Sequence, residues 1–199
     1  EIHDGKKKLV KYTGNNPNVV IPDGVDIIGE TTFKENQTLI SITIPCSVKE
    51  MEGDSWSGSF SKCCNLVNVN LLEGLKKIGD GAFEGCKSLS NVEIPGSVME
   101  IGSNTFEGCS SLTSVAIPEG VTEIRRNTFE GCSSLTTVML PEGLTRIGYE
   151  AFSGCTSLTS VVIPQTVTQI NGKVFSGCSC LVSVVIPEGV DISYDMFNG

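Results

Sequence analysis

Cysteine is the first residue type whose spacing suggests chemistry. Cys63, Cys86, Cys109, Cys132, Cys155 and Cys178, six of nine cysteines, recur every 23 residues. Such a series could crosslink or bind metal. Zinc needs a Cys-x₂-Cys pair matched by a second pair or by histidines, and the sequence has neither match nor any histidine beyond His3. Stacked in register, neighbouring cysteines would have Cα atoms ~5 Å apart, within disulfide range. Their Cβ vectors would run parallel, however, which suits the required dihedral of about 90° poorly. The series therefore reads as a column of buried free thiols acting as small hydrophobes. Asn36 stands at the same phase one repeat earlier, in keeping with packing and hydrogen bonding. Cys46, Cys64 and Cys180 lie off the series and are the better placed for oxidation.

Carboxylates and histidine offer less. Glu84, Glu107 and Glu130 also share one phase, a row that would attract cations if it converged. Each follows a phenylalanine on a turn, so the row reads as a solvated stripe. His3 is terminal, so a Ser-His or Cys-His pair would hang on the chain end. There is no Gly-x-Gly-x-x-Gly or other phosphate loop. The expectation is a protein that is not an enzyme, with no cofactor and no metal.

The same beat governs the elements that must position these side chains. Ile-Pro recurs at Ile21-Pro22, Ile44-Pro45, Ile94-Pro95, Ile117-Pro118, Ile163-Pro164 and Ile186-Pro187, with Leu71-Leu72 and Leu140-Pro141 filling the gaps. Phe83, Phe106, Phe129, Phe152 and Phe175 keep the interval of 23. Val115 and Ile117 alternate with Ser114 and Ala116, the period of a half-buried strand. Proline, with no N–H for the ladder, ends it. Val121 and Ile124 begin a return side. Gly85, Gly108, Gly131, Gly154 and Gly177 mark a bend that calls for positive φ. One unit cannot bury its apolar face, but stacked copies share a core. At ~4.8 Å per coil, eight coils make roughly 40 Å.

The pattern Cys-x-x-Leu-x-x-Val-x-Ile-Pro-x-x-Val-x-x-Ile-Gly-x-x-x-Phe resembles the BspA-like, or treponemal-type, leucine-rich repeat over about residues 16–197. Cys86 precedes Leu89 here, whereas the commoner leucine-rich consensus places its Asn or Cys after the strand. The fold expected is an α/β-type repeat solenoid, a parallel β-sheet of about eight coils with short turns or helical segments on the other side. Residues 1–18 form a capping segment, 19–189 the repeats, and 190–199 a partial last repeat, all in one domain. That last repeat reads as a cut through a longer array, or as a degenerate coil with one residue deleted near Asp191-Ile192. The resemblance implies an extracellular or cell-surface location in a bacterium or mucosal protist. It also implies protein or glycoprotein ligands, such as host matrix or another cell surface.

Composition bears on partners. The net charge of −9 lacks the cationic footprint nucleic acid requires, and no apolar run of 18 residues suggests membrane insertion. Function is expected on the outward strand face. One outward column is small and polar, from Asn18 and Ser41 to Ser160 and Ser183. The other starts mixed at Val20, Thr43, Asn70 and Glu93 and turns apolar at Ala116, Met139, Val162 and Val185. That stripe is the candidate protein-binding site, with self-association also open to it. Its bland counterpart is that β-branched residues are tolerated there. The one insertion, four residues long around Trp56, supplies either a second binding element on a loop or a lid over a coil. A surface recognition or adhesion module is the leading function, and a passive spacer within a larger surface protein is the alternative.

Overall fold

The computed structural model describes residues 1–54 and 57–198. Its coils are numbered 1–8 by the strand each contributes to the first face. Those strands are Asn18–Val20, Ser41–Ile44, Asn68–Leu71, Asn91–Val92, Ser114–Ala116, Thr137–Met139, Ser160–Val162 and Ser183–Val185. Within three groups, coils 1–4, 5–6 and 7–8, neighbours pair parallel and in repeat register, as in Ser114↔Thr137 and Ser160↔Ser183. The alternation read from sequence holds: Val115, Val138 and Val161 are buried while residues either side point to solvent. The insertion is absorbed between coils 2 and 3, where Ser41 pairs with Asn68.

The return side is not helical. No helix occurs among the described residues, which corrects the α/β expectation. A second face of two-residue strands takes its place, including Ile27–Ile28, Glu50–Met51, Lys77–Ile78, Glu100–Ile101, Glu123–Ile124, Arg146–Ile147 and Gln169–Ile170. These also pair parallel, as in Lys77↔Glu100 and Glu123↔Arg146. The reason is room. An α-helix needs several residues fixed before its first i→i−4 bond closes. A 23-residue coil that turns three corners leaves only two or three residues here, so its backbone bonds to the next coil. In the last coil Gln169 pairs with Asp191, 22 residues on, so the deletion near Asp191 falls in this strand.

The third side is a run of turns that also bonds coil to coil. The N–H of Phe83, Phe106 and Phe129 donates to the carbonyls of Thr105, Thr128 and Ala151, at 2.8, 2.9 and 2.9 Å. Gly108 adopts φ 67°, as the bend requires, but Glu35 and Lys62 hold the same phase in coils 1 and 2 at φ 59°. Inside, the rings of Tyr12, Phe33, Phe60, Phe83, Phe106, Phe129, Phe152, Phe175 and Phe197 form one offset-stacked column, with centroids 4.9 to 5.9 Å apart. Coil spacing imposes that distance, and nearly parallel offset rings satisfy the aromatic quadrupole at it. At the N-terminal end, Ile2–His3 pairs antiparallel with Lys6–Leu9, which in turn opens the second face by pairing with Ile27–Ile28.

Candidate binding face

The cysteine column is structural. All nine cysteines are free. Each column thiol donates to the carbonyl of a phenylalanine one coil back: Cys86 Sγ to Phe60 O at 3.2 Å, Cys109 to Phe83 at 3.2 Å, Cys132 to Phe106 at 3.1 Å. The same carbonyls accept a backbone N–H within their own coil, as Phe83 O does from Cys86. Both lone pairs of a buried oxygen are thus used, which a small donor at this phase makes possible. Burial pushes the thiols of Cys63 and Cys132 up to about 12 and that of Cys178 up to about 11, so thiolate chemistry is suppressed. Asn36 instead turns its Oδ1 to the N–H groups of Thr38 and Leu39, at 2.9 and 3.0 Å.

The glutamate row lies half-buried beside the phenylalanine turns. Burial first, then the neighbouring Glu107 carboxylate, holds Glu84 and Glu130 above the ordinary carboxylate range. Among the described residues, no three His, Cys, Asp or Glu side chains converge in a way that could hold a metal ion. His3 sits on the terminal hairpin strand.

The first face carries the candidate stripe. Ala116 pairs directly with Met139, and Val162 with Val185. Met139, Val162 and Val185 are 61, 67 and 55% exposed, and Ala116 is exposed beside them. The structure thus brings four of the five candidate residues together in one ridge. Trp56, the fifth, lies outside the described residues. The insertion around it forms an antiparallel ladder, Gly53–Asp54 with Ser57–Gly58, packed backbone to backbone on the next coil. A Cβ at Gly53 would sit 1.8 Å from the Asp80 carbonyl oxygen, and one at Gly58 2.1 Å from that of Gly81. Asp80 and Gly81 follow the second-face strand Lys77–Ile78, so this ladder flanks the second face and not the ridge.

Two features of the face were missed from sequence. Val182, exposed at 88%, extends an outward row formed by Thr113, Thr136 and Thr159. It precedes its strand, so alternation does not reach it, although counting phases would. The strand ladder is also interrupted between coils 4 and 5 and between coils 6 and 7. At the second break a shallow depression of about 360 Å³ opens between Met139 and Val162, with Glu142 on its rim. A larger cavity, about 550 Å³, lies at the end of the stack among Phe175, Leu181, Val184 and Phe197. It continues the core column and is not part of this face.

Charge separates the two faces. From the cysteine turn to the proline, residues 110–118, 133–141, 156–164 and 179–187 contain no Asp, Glu, Lys or Arg. Across the corresponding stretches of coils 1 to 4, Lys87 and Glu93 are the only charged residues. The second face instead carries ion pairs between coils: Lys77 with Glu50 at 3.4 Å, Arg125 with Glu100 at 3.0 Å, Arg146 with Glu123 at 3.1 Å.

A parallel stack of about eight coils with an outward strand face defines a leucine-rich-repeat solenoid. The model of the BspA type leucine rich repeat region matches residues 6–107 and 56–182, with six copies, and the chain belongs to that family. Among solved structures it is similar to a leucine rich cell surface protein from Faecalibacterium prausnitzii, at 36% identity and a TM-score of 0.84 over 92% of this chain and 51% of the other. The chain therefore spans about half the length of that relative. It is also similar to the T. pallidum Leucine Rich Repeat protein, at 29% identity and a TM-score of 0.81 over 92% of this chain and 86% of the other. A leucine-rich repeat protein from Bacteroides ovatus follows at 28% identity and a TM-score of 0.60, over 88% of this chain and 56% of the other. No curated protein matches the chain. No helix among the described residues is long and apolar enough to cross a membrane. The repeat family and its extended strand face mark a protein-interaction or surface module.

Proposed function

We propose that the protein is a cell-surface or secreted recognition module that binds protein or glycoprotein partners through the first face, with Ala116, Met139, Val162 and Val185 as the contact ridge. One observation carries this reading: four apolar side chains stand outward on four adjacent coils whose stretch of the first face holds no charged residue, in a chain of net charge −9. Burying the ridge would contribute on the order of 2–5 kcal/mol before association costs. The Ser and Thr rows beside it would add hydrogen bonds. The protein is not an enzyme on this reading, which the protonated, buried thiols of the column support. The cell-surface description of the F. prausnitzii relative supports an extracellular location.

The test is a binding array of matrix proteins, glycoproteins and glycans, probed with the wild type and with a Met139→Asp, Val162→Asp double variant. Both positions point away from the core, so the variant should keep its circular dichroism and lose binding. A folded variant that retains every interaction would exclude the ridge. A wild type that binds nothing would favour a passive spacer.

A further inference from the structure

The ridge also fits one particular partner. We propose that coils 5–8 of the first face pair with the same coils of a second copy, the two solenoids running antiparallel. This rests on the reading of the ridge as a contact surface and adds its occupant.

Charge selects the face. Two copies carrying −9 each repel, so they approach most easily where neither presents charge. In an antiparallel arrangement coil 5 faces coil 8 and coil 6 faces coil 7. Met139 then meets Val162 of the second copy, and Ala116 meets Val185, so the smallest side chain opposes a β-branched one and the longest opposes the other. Met139 also borders the depression between coils 6 and 7, which lies on the two-fold axis and gives its side chain somewhere to enter. Glu93, the charged residue of the ridge column, belongs to coil 4 and falls beyond the second copy's last coil. At the rim, Glu142 meets Gln165 while Glu119 meets Glu188, all of them exposed. The rim is thus the part of the contact that opposes association.

Size sets the strength. Four strands at ~4.8 Å, each contributing about five residues at ~3.3 Å, cover roughly 300–400 Å² per copy. Stable complexes bury about 800 Å² per partner. The dimer is accordingly weak, so its association is to be read at protein concentrations of about 10⁻⁴–10⁻³ M.

Sedimentation velocity of the 199-residue protein across that concentration range is the test. The average mass should rise towards a dimer, and more steeply at high salt, because salt screens the acidic rim and leaves apolar contact intact. Met139→Glu and Val162→Lys should each abolish the rise. Mixing the two single variants should restore it, since the introduced glutamate of one copy then meets the introduced lysine of the other at one of the two contacts, and Met139 meets Val162 unchanged at the second. Circular dichroism confirms that both variants fold. A wild type that stays monomeric overturns the proposal, as does a mixture that fails to associate. Association that weakens with salt does so too, because it would point to a charge-driven contact elsewhere. None of these results touches binding of a different protein to the ridge, which the array reads separately.

Discussion

Removing one ring from the middle of the aromatic column tests the stacking account. Phe129 is fully buried, 5.4 Å from the ring of Phe106 and 5.5 Å from that of Phe152. Phe129→Ala forfeits the burial of a full aromatic side chain, about 1.5–3 kcal/mol. It also breaks two stacked pairs, each worth ~0.5–1.5 kcal/mol. The cavity left behind adds to this loss to the extent that the neighbouring coils cannot collapse into it, so the net loss should be ~3–5 kcal/mol. Phe197→Ala is the control: Phe197 is 56% exposed and stacks on Phe175 at 5.9 Å, so its loss should stay near or below ~1 kcal/mol. Urea unfolding followed by circular dichroism reads both. Because a solenoid's stability is close to a sum over neighbouring interfaces, the Phe129 variant should also broaden the transition as the halves uncouple. Equal losses for the two variants, or a Phe129→Ala protein within ~1 kcal/mol of wild type, would refute the reasoning.

The column thiols should be reduced: thiol counting in denaturant without reductant should find at least six, and three or fewer would show a crosslinked column. Glu84→Gln should raise the melting temperature at pH 7. The Glu84 carboxyl binds its proton more tightly folded than unfolded. Its stabilising contribution is therefore present below the unfolded value and lost as pH rises through the raised folded one. The gap between variant and wild type should accordingly close as pH falls towards 4.5, and a gap that did not change with pH would contradict this. Gly108→Ala forces a Cβ into φ 67° and should cost ~1–2 kcal/mol. Lys62→Gly, at the same phase, should be neutral or stabilising in the same melting assay. If Gly108→Ala proved neutral, the strained bend would be wrong.

Much of this architecture was legible because the repeat is close to exact. The intervals between Phe106, Phe129 and Phe152 fix the column, and the alternation around Val115 fixes which side of each strand faces out. The return side was not legible, because Glu123-Ile124 is too short a segment to show either a helical or a strand period. Its conformation is decided by the hydrogen bonds available from neighbouring coils. The thiol-to-carbonyl bonds were equally hidden. Cys86 follows Phe60 by 26 residues, a regularity that gains meaning only once adjacent coils are superposed. At the candidate face, the outward direction of Met139 and Val162 followed from alternation, but the interruption of the ladder between them did not.

The most direct test of the face itself is residue-resolved alkylation in a background with Cys46, Cys64 and Cys180 replaced by serine. Single Met139→Cys, Val162→Cys and Arg146→Cys variants should label rapidly in the native protein, and Val138→Cys and Val161→Cys slowly. Adding a protein that the binding array captures should slow labelling at positions 139 and 162 and leave position 146, on the second face, unchanged. Rapid labelling at 138 and 161, or protection at 146 with none at 139 and 162, would contradict the assignment of this face as the contact surface.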